Sequence, residues 1–241
     1  IDSNTILNIN SNDWNQAAIN ISGSFVNGKV THNYIKGTGY SGIACWFVGD
    51  NYSGMAIEYN RILDTVKSVP DGGAIYCMDR GQTRVAASIA NNVIGDFGNT
   101  NPIAQMENGR WNETMGIYLD DMMSNITVKN NIVYGKGHYP VFNHAGDRNT
   151  FQNNILDISG STYMAGYADT SGTGNKFTCN IIYSSGAKSG NLWDTYNSST
   201  GGLSVSNNLY WSSVGSINTG GSITDSSPVR TDPKFVNAEG R

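Results

Sequence analysis

The feature that most narrows the fold is an asparagine that returns along the chain, each time followed by apolar residues. The copies are Asn33-Tyr34-Ile35, Asn60-Arg61-Ile62, Asn92-Val93-Ile94, Asn131-Ile132-Val133, Asn154-Ile155-Leu156, Asn180-Ile181-Ile182 and Asn208-Leu209-Tyr210. The steps between them are 27, 32, 39, 23, 26 and 28 residues. Several copies follow a stretch that alternates apolar and polar residues, such as Gly28-Lys29-Val30-Thr31-His32, Ser124-Asn125-Ile126-Thr127-Val128-Lys129 and Leu203-Ser204-Val205-Ser206-Asn207. Alternation with period two marks a half-buried strand, so each repeat reads as short strand, Asn-led turn, short strand. Asn suits that corner because it tolerates the left-handed backbone region and bonds locally, and stacked copies form amide ladders.

Most of these steps are too short for a propeller blade, and the leucine spacing of leucine-rich repeats is missing. The period predicts an all-β fold: a single-stranded right-handed parallel β-helix of about seven to nine coils. One domain is expected over residues 1–241, with an N-terminal coil or edge at 1–27 and the C-terminal end of the helix at 212–241. The two long steps mark insertions around residues 64–74 and 96–116, and insertions on one side of a solenoid build a binding face.

Composition agrees and excludes alternatives. The chain holds 31 Asn and 29 Gly against 4 Glu, 8 Lys and 7 Leu, too few helix formers for an all-α or Rossmann-type fold. With 15 basic and 19 acidic residues it offers no surface for a nucleic-acid backbone. No apolar run reaches the length of a membrane-spanning helix. The chain has no initiator Met, no charged-then-apolar leader and no starting cap, so it is expected to be a piece of a longer protein lacking coils or a companion domain. Cys45, Cys77 and Cys179 have no metal-ligand spacing and are expected to be buried free thiols.

The segments that follow the insertions line up as a stack. Gly42–Phe47 lies over Ala74–Asp79, then Gly116–Asp121, then Pro140–Ala145. In this register Ile43, Ile75, Ile117 and Val141 form one inward ladder, with Cys45, Cys77 and Leu119 in the next. Ala44, Tyr76, Tyr118 and Phe142 then face outward, as do Trp46, Met78, Asp120 and His144. Asp79 and Asp121 follow at the strand exits.

At Asp71-Gly72-Gly73-Ala74-Ile75-Tyr76, Met78-Asp79-Arg80, Gly116-Ile117-Tyr118-Leu119-Asp120-Asp121 and Thr231-Asp232-Pro233-Lys234-Phe235 the chain resembles the pectate-lyase-like superfamily of right-handed parallel β-helix proteins. Within it, the resemblance is to secreted β-helical glycoside hydrolases related to xylosidases and fucosidases, and covers most of residues 28–236. It implies a secreted or extracellular carbohydrate-active protein, in the periplasm or at the cell surface if not free, with an oligosaccharide or polysaccharide as partner. It implies neither nucleic acid nor membrane. The superfamily hosts hydrolases, lyases, epimerases and non-catalytic spikes, so the fold alone does not select among them.

Asp79, Asp120 and Asp121 are the expected catalytic group. Strands about 4.8 Å apart bring carboxylates on neighbouring rungs to the roughly 5–9 Å separations that glycosidases use. Like charges so close give an acid and a base from identical side chains. The expected pair is Asp79 and Asp120, with Asp121 tuning them. Asp71 is expected to cap its own turn, because a straight strand of that length would hold it about 25 Å from Asp120. Trp46, Tyr76, Tyr118 and Trp111 are expected to contact sugar rings, Arg80 to lower the pKa of Asp79 or bind an acidic sugar, and His144 to orient a carboxylate or a hydroxyl. Glu113 is a second candidate acid. A glycoside hydrolase of this kind requires no cofactor. Two alternatives stay open: a lyase in which Asp79, Asp120 and Asp121 hold Ca²⁺ against a uronate with Arg80 or Arg84 nearby, and a non-catalytic glycan-binding solenoid.

Overall fold

The computed structural model describes residues 1–10, 13, 16–48, 52–83, 86–98, 113–168, 173–195, 202–221 and 223–236. Among them 22 strands form and no helix does. The strands sort into three sheets, and every pairing is parallel between one coil and the next. The eight-stranded sheet contains the strands that follow the recurrent Asn, from Thr5–Ile9 through Leu209–Ser212. A seven-stranded sheet contains those that precede it, from Lys29–Thr31 to Leu203–Ser206. The third sheet, also of seven strands, carries the candidate site: Ile19–Ser22, Ile43–Phe47, Gly72–Asp79, Thr114–Asp120, Tyr139–His144, Ala165–Ala168 and Trp193–Thr195. The protein is a parallel β-solenoid.

The expected register holds. Ile43 lies beside Ile75, Ile75 beside Ile117 and Ile117 beside Val141, and all are at most 2% exposed. Cys45, Cys77 and Leu119 form the adjoining inward column. Each fully buried aliphatic side chain contributes on the order of 1.5–3 kcal/mol, so repeating one apolar position per coil builds a continuous core. Cys45 and Cys77 are buried free thiols; Cys179 is exposed, against expectation, because it occupies a turn position outside the sheets.

The asparagine ladder is continuous. Asn33 donates through its backbone N–H and its amide to Asn60 Oδ1, at 3.0 and 2.9 Å. The same pair of bonds joins Asn60 to Asn92, Asn92 to Asn131, Asn131 to Asn154, Asn154 to Asn180 and Asn180 to Asn208. Asn4 adds a rung before Asn33, and after Asn208 the acceptor is the Asp225 carboxylate, at 3.0 and 2.7 Å. The ladder Asn residues are not the left-handed ones. That conformation falls on the residue before each: His32, Tyr59, Asn91, Asn130, Asn153, Cys179 and Asn207, with φ between 54° and 58°. A non-glycine residue there costs roughly 1–2 kcal/mol. The ladder bonds of the following Asn offset that cost, which lets Tyr and Cys stand at the corner.

Candidate active site

Strands Gly72–Asp79 and Thr114–Asp120 each carry a break in alternation. Ala74 and Ile75 are successive residues, yet both belong to the interior core. At the equivalent Gly116 a Cβ would lie 2.4 Å from Val133 Cγ1, so that position also faces inward. The next outward residues are Tyr76 and Tyr118, which pair across the strands and pack with Met78, Met115, Tyr139 and Phe142 in a second apolar cluster outside the sheet.

This cluster corrects the expected solvent-facing aromatic strip. Tyr76, Tyr118 and Phe142 are outward but buried, at 2–4% exposure, because their rings cover one another at centroid separations of 5.1 Å. Trp46 is half-buried, 4.8 Å from Tyr76. Trp111 lies outside the described residues, as do Arg84 and Glu107.

Asp120 is the hub of the polar groups set in this cluster. Its Oδ1 meets His144 Nδ1 at 2.6 Å and accepts from the Asp121 N–H at 2.8 Å. Its Oδ2 accepts from the Tyr76 hydroxyl at 2.7 Å. Burial opposes its charge, but His144, Tyr76 and Tyr118 outweigh burial and hold its pKa below the ordinary carboxylate value. His144 responds in kind: its bond to Asp120 raises its pKa against the effect of burial. Asp121 accepts from Arg80 Nε at 2.6 Å, with Arg80 largely in solvent. Arg80 therefore serves Asp121, not Asp79.

Asp79 is not part of this group. It continues the inward parity of Ile75 and Cys77, is 0% exposed, and its Oδ2 accepts from Tyr52 Oη, Thr83 N and Thr83 Oγ1 at 3.0, 2.8 and 3.0 Å. Adjacent residues in a strand face opposite ways, so the exit position that brings Asp79 level with Asp121 also turns it away from Asp120.

Asp71 belongs where Asp79 was expected. The two successive inward positions at Ala74 and Ile75 and the left-handed φ of Asp71, 55°, break the straight-strand geometry that would separate it from Asp120. Its N–H donates to Glu113 O at 2.7 Å and its carbonyl accepts from Tyr40 Oη at 3.0 Å. Burial first, then the Asp120 charge, push its carboxyl up to about 6; a hydrogen bond to Tyr118, which also serves Asp120, acts in the other direction. Glu113 is raised to about 7 by burial and by the charges of Asp194 and Asp71, against a hydrogen bond to Tyr139. Tyr139 donates in turn to Asp194.

Asp194, Tyr139 and His138 had no place in the sequence reading. The outward column continues two rungs beyond Phe142: Phe142 pairs with Gly166, and Gly166 with Asp194. Following the register to those rungs would have found Asp194. Glycine makes room in the column there for the Phe142 ring, which a Cβ at Gly166 would meet at 2.1 Å.

For a metal, the described residues bring together Asp120, Asp121 and His144, with ligand atoms within 4.8 Å of one another. The donor set suits Ca²⁺ poorly: one ligand is an imidazole, Asp120 already accepts from His144, Tyr76 and an amide, Asp121 accepts from Arg80, and Asp79 faces the interior. The arrangement instead offers acid–base chemistry, with carboxyl groups of opposite pKa tendency on one outer face. Comparison of the chain with protein-family models, with curated proteins and with solved structures finds no match.

Proposed function

We propose that the protein is a glycoside hydrolase in which Asp71 is the proton donor and Asp120 its ionised partner. The observation that carries this reading is the splitting of two carboxyl groups that share Tyr118: Asp71 is raised to about 6 while Asp120 is lowered. Groups of one chemical type pushed apart by their surroundings are the signature of an acid and a base at neutral pH. Asp71 protonates the glycosidic oxygen as the bond to the leaving sugar breaks. Asp120 draws a proton from the water that attacks the anomeric carbon, or attacks it directly; the anomeric configuration of the product distinguishes the two. The sequence resemblance to pectate-lyase-like β-helix hydrolases supports the same reading, with a secreted location and a plant or microbial polysaccharide or oligosaccharide as substrate.

The test is turnover on a panel of such glycans, read both as new reducing ends and as near-ultraviolet absorbance. Asp71→Asn and Asp120→Asn should each lower kcat by about 10²–10⁴-fold with the fold retained. Ultraviolet absorbance from a new double bond would make the protein a lyase. Glycan binding with no cleavage would make it a binding solenoid. Turnover of Asp71→Asn within tenfold of the unchanged protein would remove Asp71 as the acid.

A further inference from the structure

Among the described side chains bonded to Asp120, His144 is the one most open to solvent. Its own side chain is 9% exposed, and the tyrosines that serve it, Tyr76 and Tyr118, are 4% and 2% exposed. His144, bonded to Oδ1 at 2.6 Å, is 39% exposed at its side chain. The imidazole ring lies parallel to Phe142, 2° apart at 6.2 Å, and it closes the strand Tyr139–His144 just before Ala145 takes a left-handed φ of 58°. Nδ1 is committed to Asp120.

The charged groups around the ring are nearly all acidic. Asp120, Asp121, Asp71 and Glu113 all act on it or feel its charge, and Arg80 is tied to Asp121. Tyr76 and Tyr118 bond Asp120 from the opposite side as neutral donors. A surface ion pair adds little stability by itself. An imidazolium against a nearly buried carboxylate does more for the charge state of that carboxylate than for the fold.

We infer that His144 is a positioning residue: as an imidazolium it holds the Asp120 carboxylate ionised and oriented, without touching the bond that is cleaved. The inference rests on the glycosidase reading for its catalytic consequence and on the Asp120–His144 geometry for its physical content, so two experiments separate them. The first needs no substrate. In ¹⁵N-labelled protein, the His144 imidazole should titrate above 6.5 and fall toward that value in Asp120→Asn. The second is the pH profile of kcat. His144→Ala should shift the acidic limb upward by about one to three pH units, the range a neighbouring opposite charge produces, with little change in KM. His144→Asn keeps a donor near the position of Nδ1 without the charge, and its limb should fall between the two.

An acidic limb unmoved in His144→Ala, or in His144→Asn should the alanine variant not fold, would overturn the inference and leave His144 a surface side chain. An imidazole titration that ignores Asp120→Asn would overturn it as well. Coupled titration in a protein that cleaves no glycan would instead overturn the glycosidase reading and leave the pair intact.

Discussion

At the scale of single residues, Asp71 and Asp79 stand eight positions apart, one just before and one at the end of the same strand, and only Asp71 faces the candidate site. Replacing Asp79 with Ala removes the carboxylate that accepts from the Tyr52 hydroxyl and from the part-buried Thr83 N–H and hydroxyl. The cost should be on the order of 2–4 kcal/mol in chemical denaturation, with turnover of the folded fraction preserved. A variant that keeps its stability and loses turnover would return Asp79 to the chemistry. The parity of Asp79 was legible in the sequence, since counting by twos from Ile75 through Cys77 reaches it. Asp71 was not. Its position depends on the break at Ala74 and Gly116, where two successive residues turn inward, and no alternating pattern announces such a break. The burial of Tyr76 and Tyr118 was hidden for a related reason: outward-facing and solvent-facing coincide only where nothing covers the sheet.

At the scale of the repeating element, the Asn ladder makes coils mutually dependent. Asn131→Ala would leave the Asn92 N–H without its acceptor, remove one acceptor of the Asn92 amide, and withdraw the side-chain donor from Asn154 Oδ1 and from the Ile89 carbonyl. Two or three buried polar groups lose partners, so a loss of about 3 kcal/mol is expected in urea unfolding. Asp225→Ala acts differently, because it removes the acceptor of Asn208 and Tyr210 only at the last rung. Its effect should be local: faster amide hydrogen exchange over Leu209–Ser212, with protection retained in the strand Ile94 occupies. Uniform loss of protection along the solenoid would contradict a terminal cap. The ladder itself was plain in the sequence, because equal environments in successive coils demand equal residues. Which corner residue is left-handed was not, since Tyr59 and Cys179 carry no preference for that conformation and adopt it under the bonds made by their neighbour.

At the scale of the whole molecule, four site groups shape how stability varies with pH. Asp71 and Glu113 bind their protons more tightly in the folded state, with pKa values raised from 3.8 to about 6 and from 4.5 to about 7. Raising the pH through those intervals therefore removes stability. His144, raised above 6.5, adds stability that is present below that value and lost as pH climbs through its folded pKa. Asp120, lowered from 3.8, works oppositely: its contribution is present above 3.8 and lost as pH falls through the folded value. Their combined contribution is greatest in mildly acid solution, so Tm should decline between about pH 4 and about pH 7, and the Asp71→Asn/Glu113→Gln double variant should flatten that decline in scanning calorimetry. A slope unchanged in the double variant would show that other groups set it. The side-chain amides of the solenoid also share one sense, each donating one N–H to the Asn oxygen of the following coil and turning its own oxygen toward the preceding one. Their dipoles add along the axis, so the two ends of the stack are electrically unlike. The positive end emerges at Asn208, where the full negative charge of Asp225 meets it. An entire β-solenoid is thereby capped in the way that an acidic residue caps the first turn of an α-helix.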